Sequence, residues 1–154
     1  MQFIVHTDGG ARGNPGPAAV GVVIEIYQSD QFTNPTNEKP EIIEFGKRIG
    51  ETTNNVAEYR AVLSALHEIK NQKPKIKNAD EKSKIEIQFF LDSNLVVQQL
   101  NGNFKVKDAR LRGLMMQVKI LEQEIGGMVT YTYIPREQNT RADWLVNRAL
   151  DHAG

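Results

Sequence analysis

The sequence predicts an α/β domain built on one mixed sheet, and three observations carry that prediction. Residues 1–50 hold three apolar or alternating runs, residues 54–71 switch to a helical period, and from Ile85 onward strand and helix patterns alternate. The resulting order, βββ-α-β-α-α-β-α, makes the first, fourth and fifth strands parallel, joined by right-handed helical crossovers, with an antiparallel meander on one side.

Each element has its own warrant. Gln2–Gly10 is the first strand because Phe3–Thr7 is a short apolar and β-branched run. Ala18–Tyr27 (AAVGVVIEIY) is the second, and the polar stretch Gln28–Pro40, with Pro35 and Pro40, is a long hairpin loop. Glu41–Gly50 places Ile43, Phe45 and Ile49 on one parity, which predicts a half-exposed third strand. In Asn54–Asn71, Tyr59, Val62, Leu63, Leu66 and Ile69 share one helical face, and Asn55 is the expected N-cap. Gln72–Lys84 is a lysine-rich connection, expected to be solvated. Ile85–Leu91 is the fourth strand, closed by Asp92-Ser93 and a short helix, Asn94–Asn101. Asp108–Ile125 is a longer helix with Leu111, Leu114, Met115, Val118, Leu121 and Ile125 as its apolar stripe. Met128–Ile134 is the last strand and Thr140–His152 the last helix. Tyr59 and Trp144 are expected in the core, and His6 in the core or at its edge.

At 154 residues one domain, 1–154, is expected. Lys+Arg and Asp+Glu balance at 19 each, so a nucleic-acid surface would have to be a local patch. There is no cysteine, which excludes disulfides and thiolate metal sites and suits a reducing cytoplasm. The chain enters its first strand at once, so neither a signal peptide nor a membrane span is expected. A cytoplasmic monomer without an obligate protein partner is the expectation.

Four acids concentrate the chemistry. Asp8 follows the first strand in a segment holding Gly9, Gly10, Gly13 and Gly16, and Asp92 ends the fourth strand. Glu58 and Asp143 each lie in the first turn of a helix. Sites in such sheets lie beyond the carboxyl ends of the parallel strands. Each acid also has a plainer use: Asn55 with Glu58 and Thr140 with Asp143 fit capping boxes, and Asp92 fits an N-cap. Taken jointly, four carboxylates at one edge repel unless a cation lies among them. Oxygen-only ligands select a hard cation, Mg²⁺ or Mn²⁺. Two such ions about 3.5–4 Å apart are a standard device for phosphodiester hydrolysis.

Thr7-Asp-Gly-Gly-Ala-Arg-Gly-Asn-Pro-Gly-Pro17, then Thr52-Thr-Asn-Asn-Val-Ala-Glu-Tyr59, Leu91-Asp-Ser93 and Ala142-Asp143 resemble type 1 ribonuclease H, in this order and over nearly the whole chain. The resemblance implies the ribonuclease H fold, sheet order 3-2-1-4-5, and internal cleavage of the RNA strand of RNA/DNA hybrids. It implies two Mg²⁺ ions, with Mn²⁺ as a substitute, held by Asp8, Glu58, Asp92 and Asp143, and products with 5′-phosphate and 3′-hydroxyl ends. It also implies substrate contacts: Gly9, Gly10, Ala11, Arg12 and Asn14 along the RNA minor groove, Asn55 and Asn94 as further RNA contacts, and Asn14 with Thr53 around a DNA phosphate. The sequence departs from the family in three places. Asn101–Arg110 is too short for the basic protrusion some members carry; Lys105, Lys107, Arg110 and Arg112 either substitute for it or form a solvated helix start. Pro135–Asp143 lacks the loop histidine common in the family, with Gln138 nearest its place. Finally, 28–40 and 72–84 are longer than usual.

Overall fold

Residues 1–28, 39–72 and 85–152 are described by the structure, a computed structural model. Three antiparallel strands come first: β1 (Gln2–Ala11), β2 (Gly16–Tyr27) and β3 (Glu41–Thr52). Then follow α1 (Asn54–Asn71), β4 (Glu86–Leu91), α2 (Asn94–Leu100), α3 (Ala109–Ile125), β5 (Met128–Tyr133), a 3₁₀ turn (Arg136–Gln138) and α4 (Thr140–Asp151). The five strands form one sheet in the order β3-β2-β1-β4-β5, as expected. β4 runs parallel to both its neighbours, with Phe3 beside Ile87 and Ile87 beside Val129. Strands β1 and β3 run further than the apolar pattern alone marks. A register shift between Ala18 and Ala19 bends the β2–β3 ladder near Ile49.

Period-2 alternation sorts β1 onto two layers. Phe3 and Val5 enter the larger core with Ile24 of β2, Phe89 of β4, Leu66 of α1 and Val118 of α3. The opposite face is covered by α4, which lies close because the strands beneath it carry glycine. A Cβ at Gly21 would strike the Ala142 carbonyl, and one at Gly46 the Leu145 carbonyl. That approach brings the first turn of α4 to the sheet edge where β1 and β4 end.

The helix starts differ from the sequence reading, and the difference frees the acids. Thr53, not Asn55, caps α1, its hydroxyl accepting from the Val56 amide at 3.3 Å. Ser93, not Asp92, caps α2. Thr140 is the first helical residue of α4, and Asn139 stands at the N-cap with no side-chain cap bond, so the Thr140–Asp143 capping box does not form. Tyr59 is buried as expected, donating to Gln99 Oε1 at 2.7 Å. Trp144 is not core: it is 44% exposed, because α4 turns its neighbours Ala142, Leu145 and Val146 to the sheet instead. His6 is half-buried and stacks on Phe90; burial lowers its pKa, against the nearby charge of Glu25. The expectations for most of the two long loops, including Lys73, Lys75, Lys77, Lys82 and Lys84, lie outside the described residues. Among the described residues no helix is long and apolar enough to cross a membrane.

Candidate active site

Gly9 is the residue that makes the site. It is buried, and a Cβ there would overlap the Ala57 carbonyl and the Glu58 amide nitrogen. The first turn of α1 therefore rests directly on the backbone of β1, and Glu58 comes to lie beside Asp8. Parallel pairing sets β4 next to β1, so Asp92 emerges one strand over. Asp8, Glu58 and Asp92 each offer a carboxylate oxygen, and these oxygens all lie within 4.8 Å of one another. Asp143, from the first turn of α4, lines the same cleft, about 430 Å³ in volume, together with Gly10, Ala11, Arg12, Asn54 and Arg136.

Electrostatics follow from this crowding. Asp8 is 8% exposed and Glu58 6%. Burial first, and then the charge of Asp92, push the Asp8 carboxyl up to about 7. Burial and the neighbouring Asp8 raise Glu58 well above the ordinary carboxylate range. Burial also raises Asp92, opposed by a hydrogen bond from Asn139 and the charge of Arg136. Arg136 pairs with Asp143 at 3.4 Å. Glu58 Oε2 is buried without a hydrogen-bond partner. An orphaned carboxylate oxygen beside two more carboxylates is the donor set of a hard divalent cation, so these residues fit a metal.

The expected substrate residues fall into separate groups. Gly10 borders the cleft, and a Cβ there would meet nothing closer than Val146 at 3.8 Å, so the floor is open above it. Glycine is needed at position 9 for packing, not for access. Ala11 donates its amide to Asn54 Oδ1 at 2.8 Å, and Asn54 donates its own to Asn14 Oδ1 at 3.0 Å. This reciprocal pair ties the β1–β2 loop to the start of α1. Arg12 pairs with Asp151 at 2.7 Å and reaches Asn147 on α4. Asn14, Thr53 and Asn55 meet in a second hollow of about 400 Å³ with Asp108 and Arg110. Asn94 is exposed on α2, accepting from Gln98 Nε2 at 3.3 Å, and is not among the residues lining the acid cleft. Lys105 and Lys107 are exposed between α2 and α3, also away from the acids.

Among the residues at the site that escaped sequence reasoning are Asn54, Arg136 and Asn139. Arg136, not Gln138, borders the acid cleft; Gln138 lines a separate hollow with His6. Asn139 is 1% exposed and donates to Asp92 Oδ2 at 3.2 Å. Their only signal in the sequence was membership of the polar runs TTNN and PREQN.

Comparison with known proteins agrees with this geometry. A family described as reverse transcriptase-like matches residues 6–149. LC11-RNase H1, isolated from compost by a metagenomic approach, is 40% identical and was crystallised in complex with an RNA/DNA hybrid. The match covers 97% of this chain and 96% of that one, with a TM-score of 0.79. RNase H1 from the halophilic archaeon Halobacterium salinarum is 33% identical over 99% of this chain and 100% of that one, with a TM-score of 0.76. The bifunctional protein Rv2228c of Mycobacterium tuberculosis is 36% identical over 99% of this chain, which spans 36% of that relative's length.

Proposed function

The chain belongs to the type 1 ribonuclease H family, and we propose that it is an endonuclease hydrolysing the RNA strand of RNA/DNA hybrids, leaving 5′-phosphate and 3′-hydroxyl ends. One observation carries the reading: the three carboxylates converging within 4.8 Å, in a chain 40% identical to a protein crystallised with such a hybrid. Asp8, Glu58, Asp92 and Asp143 would hold two divalent ions, Mg²⁺ or Mn²⁺, which when bound supply an activated water and offset charge on the leaving 3′-oxygen.

The chain's own residues set the substrate in place. The open floor at Gly10 lets an RNA strand approach the acids with its 2′-hydroxyls toward the β1 backbone, and the Asn54–Asn14 pair keeps that loop from yielding. Asn14, Thr53, Asn55 and Arg110 line a hollow suited to a phosphate of the DNA strand. Asn94, Lys105 and Lys107 offer further contacts on the α2–α3 side. One chain supplies the whole acid set, so no second copy is needed to complete it, and a monomer without an obligate partner is the proposed state. The absence of cysteine suits the reducing cytoplasm.

The test is one gel. A labelled strand is presented as RNA/DNA, RNA/RNA, DNA/DNA and single-stranded substrate, each with Mg²⁺, Mn²⁺ or EDTA. Internal cuts in the RNA of the hybrid that need metal are the expected result. Equal cutting in EDTA, or of the DNA duplex, overturns it.

A further inference from the structure

We propose that the outer face of α4 is a second nucleic-acid contact, where Arg148 and Arg48, ordered around Trp144, hold the phosphate backbone of substrate that extends past the cleft. The inference rests on the hybrid-cleaving reading above and adds where the flanking part of the substrate runs.

Asp143, Val146, Asn147 and Leu150 give one side of α4 to the acid cleft. Each residue turns the helix by about 100°, so Trp144 and Arg148 form the strip just beyond Asn147, on the solvent side of that wall. A strand leaving the cleft over α4 passes the Arg12–Asp151 pair and then reaches them. Trp144 is exposed, yet its ring is not bare. The Arg141 guanidinium lies 4.3 Å from the ring centroid and the Arg148 guanidinium 5.1 Å from it. Stacking restrains these long side chains while their N–H edges stay open, and a planar guanidinium matches phosphate with two parallel bonds.

Charge divides the two arginines. Arg141 is bound through both carboxylate oxygens of Glu44, so its charge is locally met. Arg148 has no carboxylate partner among the described residues. It lines a groove of about 600 Å³ together with Arg48 of β3, which also has none, His152, and Glu44, whose charge is taken up by Arg141. This groove shares no lining residue with the acid cleft and lies across α4 from it, so only substrate that passes over α4 reaches its unneutralised cations, which favour a polyanion. The plainer account is that the arginines only shield an exposed ring. That account predicts no coupling to substrate.

Trp144 is the chain's only tryptophan, so its emission reports on this face alone. In EDTA, where cleavage is stopped, a long hybrid should change the emission and a hybrid just long enough to fill the cleft should not. Arg148→Gln and Arg48→Gln, both changes at exposed side chains, should each lower the salt slope of long-hybrid binding by about 0.9. Each should raise KM several-fold for the long hybrid and less for the short one. Unchanged emission with the long hybrid, or wild-type slopes in both variants while the wild type cleaves normally, overturns this inference alone. A wild-type chain that neither binds nor cleaves hybrids overturns the functional reading, and this inference with it.

Discussion

The Asn139 side-chain amide donates to Asp92 Oδ2 at 3.2 Å and to the Thr7 carbonyl at 2.9 Å, both from the same nitrogen. One buried group thus joins the ends of β1 and β4 to the start of α4, the three elements that carry Asp8, Asp92 and Asp143. Asn139→Ala would remove both bonds, cutting the tie from α4 to the Thr7 carbonyl and releasing the Asp92 carboxylate. The expected cost is about 1–3 kcal/mol in stability and about 10–100-fold in Mg²⁺ affinity. Chemical denaturation and calorimetric Mg²⁺ titration measure the two separately; undiminished metal affinity would assign Asn139 to stability only.

Asp8→Asn and Asp92→Asn preserve size but remove a charge that a divalent ion requires. Cleavage should fall by about 10³-fold or more, equivalent to several kcal/mol in the barrier. Both variants should fold, and in EDTA should melt higher than wild type because buried like charges are relieved. Gel assays in Mg²⁺ and thermal melts in EDTA decide it. Full activity in Asp92→Asn would refute the metal assignment.

The same groups predict how stability depends on pH. Asp8 is raised to about 7 in the folded chain, and Glu58 and Asp92 are raised as well. A carboxyl with a raised folded pKa binds more protons folded than unfolded. Its stabilising contribution is complete below an unfolded value of about 4 and is lost as pH rises to the folded value. Metal-free protein should therefore lose stability from about pH 4 to about pH 7 through Asp8, with Glu58 and Asp92 acting in the same direction. Mg²⁺ must displace those protons, so its stabilising effect should grow with pH. Melting temperatures with and without Mg²⁺ across this range test it; a Mg²⁺ increment independent of pH would contradict the assignment.

Gly9 and Gly10 should respond differently to the same substitution. At position 9 a Cβ meets the α1 backbone, so Gly9→Ala should cost about 1–3 kcal/mol or more and displace Glu58 from Asp8. At position 10 there is room, so Gly10→Ala should fold with a cost under about 1 kcal/mol. Its defect should appear as a raised KM for hybrids, because the new methyl borders the cleft. Denaturation and steady-state kinetics on both variants check the contrast, and equal stability losses would contradict it.

Much of this was legible beforehand because it is local. Strand one is an apolar run, α1 and α3 have clear 3.6-residue faces, and the parallel relation of β1, β4 and β5 follows from the helical crossovers that join them. The four acids were legible as a set because motif order along the chain maps onto one sheet edge. The N-cap of α1 fell to Thr53 and not Asn55, and the capping alternatives for the acids did not form, because Ser, Thr, Asn and Asp compete for the same positions and only backbone angles decide which one caps. Asn54, Arg136 and Asn139 were illegible for a related reason. Each acts on a residue far away in sequence, Asn139 across 132 positions to Thr7.

The sequence by itself determined the elements, their order and a set of carboxylates whose donor chemistry suits a cation, since periodicity and donor chemistry are properties of short stretches. The tertiary structure decided which carboxylates meet, how strongly they resist ionisation and which face of α4 meets solvent. Those depend on backbone approach across the sheet: Gly9 under Glu58, and Gly21 and Gly46 under α4. A glycine in a strand looks the same in sequence whether it marks a bend, a bulge or a place for another backbone, and only the packed chain tells them apart.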